Sequence, residues 1–179
     1  MRENSTRAPS GQNGSMIRDA TTADAAAIAA LYNPYVRETV ITFEYDEVST
    51  EDMGSRIARV QELNLPWLVL EDEGSVIGFA YAAQYRPRAA YVHSVETTIY
   101  LAHGAGGRGL GRELYDALIA RLRAGHAHSA ISLIALPNDA SVALHLATGW
   151  SEVGQLRDVG RKFDRWIDVA YYQLDVSST

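Results

Sequence analysis

The chain has 179 residues with a net charge of −6 and a pI near 5.3, and 47% of its residues are hydrophobic against 21% charged. This is the composition of an ordinary globular domain with no basic footprint for nucleic acid. The absence of cysteine excludes disulfides, thiolate metal sites and a cysteine nucleophile, and no apolar run approaches the ~20 residues of a membrane-spanning helix.

Residues 1–15 are polar, rich in Ser, Asn and Gly, and read as a disordered leader ahead of a single domain over residues 16–179. They carry no apolar run of the signal-peptide kind, so the expectation is a cytoplasmic protein. Ile17 to Ala20 reads as a short strand. Thr21 or Thr22 can cap a helix with Asp24 in its first turn, running to about Tyr32 and broken at Asn33-Pro34. Tyr35 to Val48 is expected to be loop with short extended pieces. Ser49 or Thr50 caps a second helix that puts Met53, Ile57 and Val60 on one face.

Trp67 to Leu70 and Val76 to Ala83 form a hairpin around the turn Glu71 to Gly74. The linker Gln84 to Ala90 carries Arg86 and Arg88 around a proline, and Tyr91 to Leu101 reads as a long strand. Glycines at 104, 106, 107, 109 and 111 follow, then a helix with Leu110, Leu114, Ala117 and Leu118 at helical spacing, ended by Gly125. Ala130 to Ala135 is a buried strand, and Ala140 to Ala147 a short helix closed by Gly149. Ser151 to Leu156 and Trp166 to Leu174 read as closing antiparallel strands around a basic loop. The order β, α, α, β, β, β, α, β, α, β, β predicts an α/β (α+β) fold: a mixed, mainly antiparallel sheet with helices on both faces and one β-α-β unit.

A strand that runs through a glycine loop into a helix N-terminus presents unpaired N–H groups and the positive end of a helix dipole, which is an anion site. Gly104, Gly106 and Gly109 fit GxGxxG, and Gly106, Gly109 and Gly111 fit GxxGxG. The dinucleotide fingerprint needs a doubly wound parallel sheet, whereas this loop follows a hairpin. No GK[ST] is present, so a Walker loop is excluded. Glu96, on the strand that leads into the loop, is either a working carboxylate of the site or a surface ion-pair partner.

Over residues 16–176 the chain resembles the GNAT-type N-acetyltransferases, most closely their phosphinothricin and methionine sulfone (sulfoximine) branch. The segments VETTIYL, GGRGLG, LPNDASVALH with its terminal GW, and VGRKFDRWIDVAYYQLDV carry the resemblance. One departure is that Gly106 stands where the superfamily loop begins with Gln or Arg, leaving Arg108 and Arg112 to compensate. The resemblance implies acetyl-CoA as co-substrate and no metal. It places the pyrophosphate on the N–H groups of Gly107, Arg108, Gly109, Leu110, Gly111 and Arg112, and the pantetheine arm beside Ile99, Tyr100 and Leu101, with a further contact from Asn138.

It also implies Glu96 as general base, the N–H near Leu101 as oxyanion donor, and His145 as general acid or thiolate partner, with an unperturbed pKa suited to that. Two guanidiniums can clamp a carboxylate or a tetrahedral oxygen pair. Arg86 and Arg88 match such positions in the branch, with Phe43 and Tyr91 as aromatic walls; the alternative is a pair of solvated loop residues. Arg157, Arg161, Lys162 and Arg165 come from a partner subunit or are plain surface, while Tyr115 and Trp67 are expected in the core. The expected enzyme is a homodimer that acetylates the α-amine of an amino-acid-like acceptor. The alternatives are another small amine, a protein N-terminus, or a non-catalytic acyl-CoA sensor.

Overall fold

In a computed structural model, residues 14–177 are described; apart from Gly14 and Ser15, the expected leader lies outside them. One seven-stranded sheet runs in the order β1-β2-β3-β4-β5-β7-β6. Its strands are β1 (Met16–Asp19), β2 (Trp67–Asp72), β3 (Ser75–Gln84), β4 (Ser94–Leu101), β5 (Ser129–Ala135), β6 (Ser151–Lys162) and β7 (Arg165–Asp175). Every pairing is antiparallel except β4 with β5, which α3 (Leu110–Arg123) connects. Alternating residues of the central strands feed two cores. Leu68, Leu70, Ala80 and Ala82 pack with Leu114, Tyr115 and Leu118 of α3, and α4 (Asp139–Ala147) joins this face. Trp67, Val69 and Phe79 pack on the other face against α1 (Ala25–Glu38) and α2 (Thr50–Glu62).

The order of elements is the expected one, with boundary corrections of clear cause. The first helix does not break at Asn33-Pro34 but runs through Pro34 to Glu38. Buried Leu31, Tyr32 and Val36 anchor both sides of the proline, and the Asn33 side chain ties Val48 N and O at 2.9 and 3.0 Å, outweighing one lost backbone bond. Residues 39–48 then contain no strand. Tyr91 belongs to a 3-10 turn, so β4 begins only at Ser94. The expected basic loop is the tip of a long hairpin, because Phe163 and Asp164 turn it in two residues, both at positive φ. Phe-Asp is not a usual residue pair for such a turn, which hid it.

Two glycines seat the helix that follows the glycine loop. A Cβ at Gly78 would stand 2.6 Å from Leu101 Cδ2, and one at Gly111 would stand 3.1 Å from Leu101 Cδ1. Leu101 therefore fills the space between β3 and the first turn of α3, bringing the helix N-terminus onto the end of β4. Gly78→Val is expected to cost about 1–3 kcal/mol through overpacking. A thermal melt should fall by several degrees; an unchanged midpoint would show that Leu101 is not clamped there.

Candidate active site

The site is built where the parallel strands part. β4 and β5 pair at Ser94↔Ser129, Val95↔Ala130 and Glu96↔Ile131, and nowhere beyond. The ladder on the other edge fixes which backbone groups this frees. Ala102 N–H donates to Ile77 O at 2.7 Å and Tyr85 N–H to Ser94 O at 3.3 Å, so the even-numbered residues of β4 turn their polar backbone toward β3. The odd-numbered ones face β5, and past Glu96 they face a gap. The Leu101 carbonyl is taken by the Tyr35 hydroxyl at 2.7 Å. The N–H groups of Ile99 and Leu101 remain directed into the cleft. Tyr100 lines the cleft but offers it no backbone group, since its backbone pairs with Phe79 in the β3 ladder and its ring joins the aromatic cluster of Tyr32, Tyr35 and Phe79.

Two cavities open at this gap, one toward each face of the sheet. A cleft of about 280 Å³ runs between β4 and β5 under α4, lined by Ile99, Leu101, Ser132, Asn138, Ser141 and His145. A second cavity, of about 240 Å³, lies on the α1–α2 side, lined by Phe43, Arg56, Trp67, Tyr81, Glu96 and Val169 among others. Ile41, Thr98, Tyr100, Leu133 and Ala135 line both, so the two meet through the split sheet.

At the far end of the cleft stands the glycine loop. Gly104, Gly107 and Gly109 have φ near +80° or above and open space where a Cβ would be, so backbone is presented bare. Gly109 caps α3, and the N–H groups of Gly107, Gly109, Leu110 and Gly111 meet no acceptor among the described residues. The Arg112 N–H does not belong to this set, since it closes a tight turn onto Gly109 O at 3.0 Å. The arginines expected to compensate for the side chain missing at Gly106 are paired elsewhere in this structure. Arg108 reaches back to Asp72 at 2.7 Å, and Arg112 pairs with Asp116 at 3.5 Å one helical turn on. The Asn138 carbonyl oxygen caps α4 by accepting from Ser141 N at 3.2 Å, which leaves its amide to donate into the cleft. A bare anion cradle joined to an extended groove with free backbone N–H groups suits a long ligand: phosphate at one end, amides along its arm.

His145 is almost wholly buried on α4. Its Nδ1 lies 2.7 Å from the Ser141 carbonyl, which can only accept, so Nδ1 carries the proton. Nε2 is then an acceptor for the Tyr115 hydroxyl at 2.9 Å and the Ser132 hydroxyl at 2.8 Å. Burial holds its pKa below the ordinary histidine value. The expected general acid is thus a neutral imidazole with no proton on Nε2, and the hydroxyls bonded to it are the donors. Tyr115 and Trp67 are core residues, as expected.

Glu96 lines the second cavity, and burial pushes its carboxyl above the usual carboxylate range, with the charge of Arg86 opposing. Phe43 lines the same cavity. Arg86, Arg88 and Tyr91 do not: all three are exposed on the linker before β4, the Arg86 guanidinium 5.1 Å from the centre of the Tyr85 ring. None of the three lines either cavity, so the expected arginine clamp is not assembled in this structure. The guanidinium in the cavity wall is instead Arg56 of α2, held two-pronged by Glu44 at 2.6 and 2.9 Å, with Tyr32 donating to the same carboxylate at 3.0 Å. The step of two along β4 from Glu96 could have flagged Thr98 as a site residue and Tyr100 as facing this cavity too; an exposed-looking helical Arg56 gave no such signal. Among the described residues, no cluster of His, Asp or Glu converges as metal ligands do, and no helix is long and apolar enough to cross a membrane.

Residues 17–171 match the family model described as acetyltransferase (GNAT) domain. The chain is 39% identical over 171 residues to a phosphinothricin N-acetyltransferase of Streptomyces coelicolor, covering 88% of this chain and 94% of that protein. It is 35% identical over 164 residues to an L-methionine sulfoximine/L-methionine sulfone acetyltransferase of Pseudomonas paraeruginosa, covering 91% and 95%. A phosphinothricin acetyltransferase of the GNAT superfamily from Sinorhizobium meliloti, solved in complex with AcCoA, superposes with a TM-score of 0.87 at 36% identity, covering 91% of this chain and 89% of that one. The cradle and the free edge of β4 fit such a co-substrate. On sequence, fold and cleft together, the chain belongs to the GNAT acetyltransferases and is an acetyl-CoA-dependent N-acetyltransferase.

Proposed function

We propose that the protein acetylates the α-amine of a small amino-acid-like acceptor, with phosphinothricin, methionine sulfoximine and methionine sulfone as the leading substrates, by direct transfer in a ternary complex. The observation that carries this reading is the position of Glu96. It stands at the last paired residue before the strands part, in the wall of a cavity that adjoins the cleft. The names of the relatives support the acceptor class. A cavity of about 240 Å³ with aromatic walls, one carboxylate and one guanidinium suits a small zwitterion.

Acetyl-CoA supplies an activated thioester carbonyl. Glu96 takes the ammonium proton, directly or through a water, and so frees the amine lone pair. The Leu101 N–H donates to the carbonyl oxygen as that oxygen gains charge. Ser132, whose hydroxyl lies in the cleft wall 2.8 Å from His145 Nε2, is the proton relay nearest the departing sulfur: it takes up the second proton of the attacking amine and gives its own to the sulfur as the C–S bond breaks. The bare N–H groups from Gly107 to Gly111 hold the pyrophosphate, with Arg108 and Arg112 free to swing from their exposed ion pairs. A homodimer through β6 is part of the same reading: this edge strand is exposed from Ser151 to Val159 and shows Val153, Leu156 and Val159 to solvent.

Glu96→Gln is expected to lower turnover by about 10²–10⁴ at saturating acetyl-CoA, read by thiol release, while acetyl-CoA binding measured by calorimetry is kept. Retained turnover would remove Glu96 from the chemistry. The base works when ionised, so kcat/KM for the acceptor should fall as pH drops through the raised Glu96 pKa, above the usual carboxylate range. Arg86 opposes the rise; Arg86→Met should therefore move this acid limb to higher pH, less so at high salt. A limb that stays put assigns the titration to another group. Across a panel of amino acids and amines, methionine sulfone or phosphinothricin should be turned over and polyamines should not; the reverse pattern overturns the acceptor assignment.

A further inference from the structure

Residues 39–48 roof the Glu96 cavity without a backbone ladder of their own, so side chains must hold them. Part of the hold is internal: the Tyr32 hydroxyl meets Thr42 Oγ1 at 2.5 Å, and Asn33 grips Val48. Ion pairs add to this, Glu44 with Arg56 and Glu47 with Arg37, and a further hold comes from the far end of the chain, where successive residues Gly160, Arg161 and Lys162 of β6 each take one piece of the segment. The Phe43 ring occupies the space where a Cβ at Gly160 would stand. The Tyr45 hydroxyl donates to the Arg161 carbonyl. Lys162 is buried to 0% exposure, and its ammonium donates at 2.8 Å both to Val36 O and to Thr42 O.

A fully buried lysine is rare and costly unless its protons are taken. Here the acceptors are chosen positions. Val36 O lies in the last turn of α1, among the carbonyls a helix leaves unpaired and where the dipole favours a cation. Thr42 O lies one residue before Phe43. The charged side chain is thus a strut between a rigid helix end and the roof. Thr42 and Phe43 line the Glu96 cavity but not the acetyl-CoA cleft.

We propose that the end of β6 is a clasp for the acceptor site, in which Lys162 and Gly160 are positioning residues that set Thr42 and Phe43 against the acceptor, while Ile41 is the one residue of the segment that also borders the acetyl-CoA cleft. This rests on reading the Glu96 cavity as the acceptor site. Lys162→Met keeps the stem and removes the ammonium, stranding two carbonyls; Gly160→Ala displaces the Phe43 ring and leaves Lys162 in place.

The test uses the full chain with methionine sulfone as acceptor. Both variants should raise the acceptor KM by about tenfold or more, equivalent to ~1.4 kcal/mol, while the KM for acetyl-CoA stays within about twofold. A loss of folded enzyme would lower kcat and leave both KM values alone. Hydrogen exchange should speed up in residues 39–48 of either variant and stay unchanged in β2, β3 and β4. The clasp is overturned if both variants keep the parent's acceptor KM, or if the acetyl-CoA KM rises in step. Should Lys162→Met fail to fold, Gly160→Ala decides alone. Val169→Phe, which narrows the Glu96 cavity from β7 at a residue that does not line the cleft, separates the two claims. If it raises the acceptor KM and the β6 variants do not, the clasp falls and the cavity reading stands. If the parent does not turn over methionine sulfone, the acceptor assignment falls, and unchanged exchange at residues 39–48 then overturns the clasp as well.

Discussion

Two parallel strands that stop pairing after Glu96 and Ile131 create most of what this molecule can do. A sheet satisfies its backbone through its neighbours, and a strand that leaves its partner exposes donors that water or a ligand must take. Here the exposed donors are those of Ile99 and Leu101, at the edge of a cleft that ends on a helix N-terminus. The split also opens a window through the sheet, and the two cavities meet in it. The packing around it keeps it open: α1 reaches across through Tyr35 to the Leu101 carbonyl, and Leu101 is pinned between Gly78 and Gly111. Without that divergence the glycine loop would be an anion site and nothing more.

The two ionisable groups nearest the split have opposite relations to their surroundings. Glu96 faces a cavity, and no hydrogen bond from the described residues meets its carboxylate, so burial pushes its pKa up against the weaker opposing charge of Arg86. His145 is enclosed by partners that define its tautomer: a carbonyl on Nδ1 and two hydroxyls at Nε2. One group is left ready to gain a proton. The other is locked neutral and arranges the protons of its neighbours.

Much of this was legible in the residues. The element order, the ends of α2 and α3, and the placing of Glu96 on the strand that enters the glycine loop all follow from periodicity and caps. What escaped were contacts between segments far apart in the chain. Pro34 looked like a helix stop because local propensity ranks it so, yet buried side chains on both sides carry the helix past it. Lys162 looked like surface because lysine usually is; only the fold brings the carbonyls of Val36 and Thr42 to it. Arg86 and Arg88 stand exposed on their linker and do not line the cavity, although the Arg86 charge acts on Glu96; the guanidinium in the wall is that of Arg56, which no local pattern marks.

The window between the cavities bears on how a reaction cycle would be ordered. The cleft lies on the α3–α4 side of the sheet and the Glu96 cavity on the α1–α2 side, with Thr98, Tyr100, Leu133 and Ala135 common to both. On the proposed assignment, the two substrates have separate doors and touch only at their reacting ends. Neither blocks the other's way in, and an acetylated product can depart while CoA is still held. Such a layout favours random entry and independent exit over a fixed queue. It also leaves the acceptor chamber open to change in size and polarity through α2, β5 and the segment between α1 and α2, with the machinery for acetyl-CoA left as it is.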